Sequence, residues 1–219
     1  MPYSQNSRKI AAYLNGLRDF NWHVCPFPYG HMGASIVDAS LQAGMNYEKA
    51  VRPRVDALRA AYPSRVTTSD FDKLLSTVPL GDLIRWKGSK LDRIRATLRL
   101  FLDEKVDTEA ELKRWIQTDG NPDKLTKIPG IKDKTLDYYR LISGLSTVAI
   151  DRHLLGFIKN AGVDVTGYDE AHRLLLEVAG VLGKSAKDLD HSIWRFMSDR
   201  AKVRTRQVQS CAHGAAPKI

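Results

Sequence analysis

Apolar positions recur along almost the whole chain at the three-to-four-residue spacing of an amphipathic helix, and no run of strand-like alternation competes with it. The pattern predicts helices near residues 7–19, 31–43, 47–62, 69–77, 88–103, 109–118, 121–127, 133–143, 152–160, 168–182 and 186–206. Starts are marked by Thr108 with Glu111, a capping box, by Ser69 or Asp70, and by Ser185 with Asp188; Gly162 and Gly183 mark stops. In the helix that follows Gly88-Ser89-Lys90, Leu91, Ile94, Leu98 and Phe101 share one face, which predicts core. There is no internal repeat and no long low-complexity linker, so the expectation is an all-α protein of one domain or two small lobes packed without a tether.

Two loop-to-helix junctions interrupt this pattern with chemistry. Pro129-Gly130 ends one short helical segment and another begins near Asp133, so the amides of Gly130, Ile131 and Lys132 are expected to lack helical partners and to be able to hold a phosphate. A helix from Asp133 to Ser143 carries the chain about 15 Å away, and the extended stretch 144–150 can return it over a similar distance. Lys134 and Asp151 can therefore face one another. Asp151 precedes an apolar helical face of Leu154, Leu155 and Ile158 and reads as an N-cap, where backbone amides and the positive helix end stabilise a carboxylate's charge. Such a group can stabilise a developing cation or deprotonate a nucleophile. A lysine amine can attack an anomeric carbon and form a Schiff base once desolvation or neighbouring cations make some of it neutral, and Lys127, Lys132 and Arg140 are the cations nearest Lys134 in sequence. Ordinary roles stay open for both residues: Asp151 as a cap alone, Lys134 as a phosphate contact or a solvated lysine.

The segment LTKIPGIKDKTLDYYRLISGLSTVAIDRH resembles the active-site signature of the helix-hairpin-helix (HhH-GPD) DNA glycosylase superfamily, the group containing endonuclease III and the adenine and 8-oxoguanine glycosylases. IPGIKDKT matches the family hairpin, and Lys134, four residues after Gly130, falls where bifunctional members carry the catalytic lysine. AIDRH is similar to the family's Val-Asp-x-His, which puts the essential aspartate at Asp151 with His153 behind it. HMGASIVDASLQAGMNYEKAVRPRVDAL resembles the helix-loop-helix whose terminal glutamine enters the space left by a flipped base, here Gln42; a plain surface glutamine is the alternative. RWKGSKLDRIRATLRLF is similar to the segment leading into the helix before the hairpin, and the matches run in order over most of residues 30–160. The chain departs from the family at Lys132, where a second hairpin glycine is usual, and in having only Cys25 and Cys211, so that it resembles the branches without an iron-sulfur cluster.

The resemblance implies a two-lobed helical fold with the active cleft between lobes: one lobe about 31–145, including the hairpin at 125–140, the other 1–30 with 146–206, and 207–219 as a flexible tail. It implies that Gln42, Gly130, Ile131, Lys132 and His153 contact DNA, that Asp151 assists attack at C1′, and that Lys134 forms the Schiff base from which strand scission by β-elimination follows. If Lys134 points away, Asp151 activates water and the enzyme is a monofunctional glycosylase. The implied partner is double-stranded DNA bearing a damaged or modified base, bound by a monomer. Whether that base is 8-oxoguanine, an oxidised or deaminated pyrimidine, an alkylated purine or a bulky modified base stays open. Trp22, His23, Phe27, Tyr29 and His31 are the candidate base pocket, with a packed apolar lobe as the alternative. No cofactor is required for this chemistry; a monovalent cation at the hairpin is the one ion to consider. Two rivals stand beside it: a non-catalytic DNA-binding protein that keeps the hairpin, and a metal-dependent nuclease, for which no carboxylate cluster is apparent.

Composition sharpens the partner. The net charge of +9 points to a polyanion, and Arg200, Lys202, Arg204 and Arg206 form a basic run that is either a solvated end or an extra backbone contact. No stretch approaches the roughly 20 apolar residues of a membrane span, and Met1–Arg18 lacks the apolar core of a signal peptide, so a cytoplasmic protein is expected. Two cysteines and dispersed histidines offer neither a disulfide framework nor a zinc site.

Overall fold

The computed structural model describes the backbone of residues 3–213 and the side chains of residues 3–201. Among the described residues all regular structure is helical: α1 (Gln5–Asn15), α2 (Met32–Leu41), a π-helical turn (Tyr47–Val51), α3 (Arg52–Ala61), α4 (Thr68–Leu75), α5 (Leu80–Leu83), α6 (Lys90–Asp103), α7 (Glu109–Ile116), α8 (Asn121–Thr126), α9 (Asp133–Ile142), α10 (Arg152–Asn160), α11 (Tyr168–Leu182) and α12 (Ala186–His213). No helix among them is long and apolar enough to cross a membrane.

Where the elements differ from the sequence pattern, local chemistry explains it. The segment expected as one helix over 47–62 opens as a π-turn because Pro53, in the first turn of α3, lacks an N–H and its ring clashes with the carbonyl four residues earlier, which a wider turn avoids. The cap of α4 is Thr67, whose side chain accepts from the Asp70 amide while Asp70 reaches back, so the start lies ahead of Ser69. The Thr108–Glu111 capping box of α7 is formed. Helix α5 is a single turn after Pro79, too short to leave a periodic signature. At the other end α12 stays helical through His213 rather than stopping at 206, since no glycine or proline precedes Gly214.

The chain divides into two compact units, a terminal unit of Met1–Cys25 with Ile150–Ile219 and a middle unit of Pro26–Ala149. The first boundary falls before, not after, residues 26–30 because their amides are used by the middle unit: Glu109 accepts from Tyr29 N at 3.2 Å and from Gly30 N at 2.6 Å. Cys25 N–H instead donates to Asp188 Oδ1 at 2.8 Å, in the terminal unit.

In the terminal unit α1 packs on α11, and α12 packs on both α10 and α11. Its core combines Ile10, Leu14, Leu154, Ile158, Leu175 and Val178 with a ring cluster in which Phe157 meets Tyr13, Phe20 and Phe196. The middle unit is built around α2, every residue of which is buried, with α3, α4, α6 and α9 against it. Small residues make that possible: a methyl on Gly33 would stand 2.8 Å from the Phe71 ring. A helix enclosed on all sides must satisfy any polar side chain inside the protein, and α2 carries Asp38 there.

Candidate functional site

Asp38 and Gln42 lie one turn apart on α2; Lys134 and Tyr138 lie one turn apart on α9. The two pairs meet as rungs of a ladder. Lys134 donates through its ammonium to Gln42 Oε1, and the Tyr138 hydroxyl donates to Asp38 at 3.2 Å. Asp38, fully buried, also accepts from Tyr29 at 2.5 Å and from Tyr47 at 3.1 Å, both on Oδ2. Burial pushes the Asp38 carboxyl up to about 6, against the opposing pull of the bonds from Tyr29, Tyr47 and Tyr138 and of the Lys134 charge. Burial, and then the Asp38 charge, drive all three phenols well above their ordinary range, so they remain proton donors to the carboxylate.

The end of α2 is clamped by cations from α6. Lys90 Nζ donates to the carbonyls of Leu41 and Ala43, each at 2.5 Å, and Arg93 Nη1 to that of Ser40 at 3.1 Å. These carbonyls have no helical partner, and a positive charge is favourable at a helix C-terminus. Gln42, with 7% of its surface exposed, is thereby held from both sides along the backbone. Burial lowers Lys90 to about 8, assisted by the positive charges of Arg93 and Lys134. Lys90 is thus a cation set near both Arg93 and Lys134. Of the neighbours expected from sequence, Arg140 is taken by Asp137 at 2.6 Å, and Lys127 and Lys132 are exposed.

The hairpin is organised by the same helix. Arg93 Nε donates to the Pro129 carbonyl at 3.1 Å, and Gly130 adopts φ +83° with the guanidinium packed so closely that a Cβ would fall 1.7 Å from Nη2. Ile131 requires a correction: its N–H is not free but closes the turn onto the Ile128 carbonyl at 3.0 Å, and its side chain is core, 2% exposed. Lys132 is the extended N-cap of α9 with no side-chain cap, so the first amides of this helix take no partner from the capping residue.

The five residues expected as one base pocket fall on both sides of the boundary between the units, three in the middle unit and two in the terminal unit. His31 is buried as the N-cap of α2, its Nδ1 accepting from the Ala34 amide at 3.1 Å, and burial lowers its pKa, which keeps that nitrogen an acceptor. Tyr29 is committed to Asp38, and Phe27 sits edge-on to Tyr29 and Tyr138 at 4.9 and 5.6 Å. Trp22 and His23 belong to the terminal unit: Trp22 lies edge-on to Phe20 under Lys184, and the His23 amide donates to Ser192 Oγ at 2.9 Å.

Asp151 caps α10. Its Oδ1 accepts from the amides of His153 at 2.8 Å and Leu154 at 3.1 Å, so capping uses one of the two carboxylate oxygens. The His153 ring stands edge-on to Trp194 at 6.3 Å, and His191 stacks on the same indole at 6.4 Å. Burial, then the charge of Arg195, pushes His191 down to about 4. Leu155, expected on the apolar face, is instead 40% exposed. Arg200 pairs with Asp19 at 3.1 Å, while Lys202, Arg204, Arg206 and Cys211 lie outside the described side chains. Among the described residues no cluster of histidine, cysteine or carboxylate side chains is arranged to hold a metal.

Residues 20–198 match a family described as a domain of unknown function (DUF8548). The chain belongs to that family. No solved structure matches it. In this member the groups around the candidate site that sequence reasoning missed are Asp38, Tyr47, Tyr138, Lys90 and Arg93. One signal for them was present: an aspartate inside the otherwise small and apolar MGASIVDASL, four residues before Gln42, matched by Lys134 and Tyr138 four apart on α9.

Proposed function

We propose that this protein is a DNA glycosylase of base excision with the HhH-GPD fold, flipping a damaged or modified base out of double-stranded DNA and excising it, with an AP lyase step through Lys134. The observation that carries this reading is the placement of Lys134 in the first turn of α9, just behind the Pro129-Gly130 hairpin, with its ammonium directed by Gln42 and its charge set against Lys90. A lysine that served only to meet solvent has no need of a buried partner on another helix.

In this mechanism the Gly130 and Lys132 amides and the uncapped start of α9 hold a backbone phosphate. The target nucleotide rotates out of the stack. Asp151 stabilises positive charge developing on the sugar; its capping bonds leave the second carboxylate oxygen for that task. The neutral Lys134 amine bonds to C1′ as the glycosidic bond breaks, the base departing with the electron pair and taking up a proton. Ring opening gives a Schiff base, and loss of a 2′ proton expels the 3′ phosphate. A monofunctional enzyme, in which Asp151 activates water, is the second reading; the Asp151 oxygen that capping does not use favours it.

Borohydride trapping on duplexes carrying a panel of modified bases and an abasic site separates these. The proposal expects a covalent adduct that is absent in Lys134→Ala and slowed in Asp151→Asn. Abasic sites formed without an adduct, and lost in Asp151→Asn, would select the monofunctional enzyme. Binding with no product from any substrate would overturn the enzymatic reading in favour of a non-catalytic hairpin protein.

A further inference from the structure

We infer that the hairpin of this protein carries its own cation: the Arg93 guanidinium, held against Pro129 and Gly130, stands in place of a monovalent metal ion and presents Nη2 to a DNA backbone phosphate. The inference deepens the proposed function by naming a phosphate ligand and replacing the one ion that function could call on. It rests on that reading for the identity of the anion.

The guanidinium is fixed from two sides. Its Nε donates to the Pro129 carbonyl at 3.1 Å and its Nη1 to the Ser40 carbonyl at 3.1 Å, so α6 ties the hairpin to the end of α2. The remaining nitrogen, Nη2, lies where a side chain of residue 130 would stand, since a Cβ on Gly130 would fall 1.7 Å from it. Glycine is therefore needed there twice over, for its φ of +83° and for the space the guanidinium fills. Among the described residues Nη2 donates to no group of the protein, and no carboxylate pairs with Arg93; its neighbour Asp92 is engaged by Arg95 at 3.2 Å. A half-buried guanidinium with unused N–H groups and no counter-charge is a ligand for an oxyanion, and the arginine fork suits phosphate. Asp133, in the first turn of α9, puts a negative charge at the same end of that helix, so a phosphate arriving there needs a cation to offset it.

A metal ion does not fit this turn. Carbonyl oxygens are what a hairpin offers such an ion, and here the Pro129 carbonyl is bonded to Arg93 Nε and the Ile128 carbonyl to the Ile131 amide at 3.0 Å. An ion at the remaining oxygens would stand beside a fixed positive charge in a partly desolvated site, and like-charge repulsion opposes that.

The test reads binding rather than chemistry. Full-length wild type, Arg93→Met and Arg93→Lys are titrated onto an uncleavable duplex carrying a tetrahydrofuran abasic-site analogue, with fluorescence anisotropy as the readout. Titrations run in potassium, sodium and tetramethylammonium chloride at matched ionic strength, and over a range of salt concentrations. Wild type is expected to bind equally well in all three salts. Arg93→Met should bind about tenfold more weakly, with the slope of log K against log salt smaller by about one. Arg93→Lys keeps the charge without the fork, so it should retain the slope while losing part of the affinity. A purely structural role for Arg93 would leave the slope unchanged. Wild-type binding that requires potassium or sodium, or an unchanged slope in folded Arg93→Met, would overturn the inference. Should Arg93→Met fail to fold, the three-salt comparison in wild type and the Arg93→Lys slope still decide it. No binding of any duplex by wild type would overturn the inference and the proposed function together. The expected slopes, with no product or adduct from any substrate, would leave the inference standing and overturn only the enzymatic reading.

Discussion

Gly130→Ala tests how the hairpin is built. In the left-handed region, where Gly130 sits at φ +83°, an L side chain costs about 1–2 kcal/mol. The new Cβ would also fall 1.7 Å from Arg93 Nη2. The guanidinium is flexible enough to move away, but doing so forfeits its bonds to the Pro129 and Ser40 carbonyls. At about 0.5–1.5 kcal/mol for each bond, the total destabilisation comes to about 2–5 kcal/mol. Gly120→Ala is the internal control: φ is +79°, but nothing lies within 4 Å of its Cβ, so only the backbone cost applies. Urea unfolding of the two variants should place Gly130→Ala below Gly120→Ala by at least about 1 kcal/mol. The double variant Gly130→Ala/Arg93→Ala should show coupling, since the three atoms nearest the new methyl all belong to Arg93. Equal losses in the two glycine variants, or additivity in the double variant, would refute the claim that Arg93 fixes the hairpin.

Other expectations concern pH and capping. The Asp38 carboxyl is raised to about 6 from an ordinary 3.8, so the folded protein holds its proton more tightly than the unfolded chain does. Its ionisation therefore costs stability above pH 6, by up to about 3 kcal/mol, and the stability of wild type relative to Asp38→Asn should rise as pH falls from 7.5 to 4. A flat difference in chemical denaturation across that range would refute the burial argument. His191 acts with the opposite sign. Lowered from 6.5 to about 4, it stays neutral in the fold while the unfolded chain takes up a proton, so stability is lost as pH falls from 6.5 towards 4; His191→Phe should remove that part of the slope. Thr108→Ala breaks the capping box of α7 and should cost about 1 kcal/mol in thermal or urea unfolding.

What the sequence determined by itself is the local architecture. Helix positions followed from apolar periodicity, the α7 start from Thr108 and Glu111, the end of α11 from Gly183 in the left-handed region, and the α10 cap from Asp151 ahead of its apolar face, because each depends on residues within a turn or two of one another. The hairpin and its lysine were legible for the same reason. What only the tertiary structure decided is which side chains from distant segments share a buried environment. Gln42 gave no sign of being enclosed, since nothing in its own neighbourhood shows that Lys90 and Arg93 would clamp the carbonyls beside it. Asp38 looked like one polar residue in a helix until Tyr29, Tyr47 and Tyr138 closed over it from three other places in the chain. The five aromatic and histidine residues at 22–31 are contiguous in sequence, but the chain passes from one unit to the other between Cys25 and Pro26, so they are built into two different packing environments. Periodicity encodes which face of a helix is covered; it carries no information on which partner covers it, and the electrostatics of Asp38, Lys90 and Lys134 depend entirely on that choice.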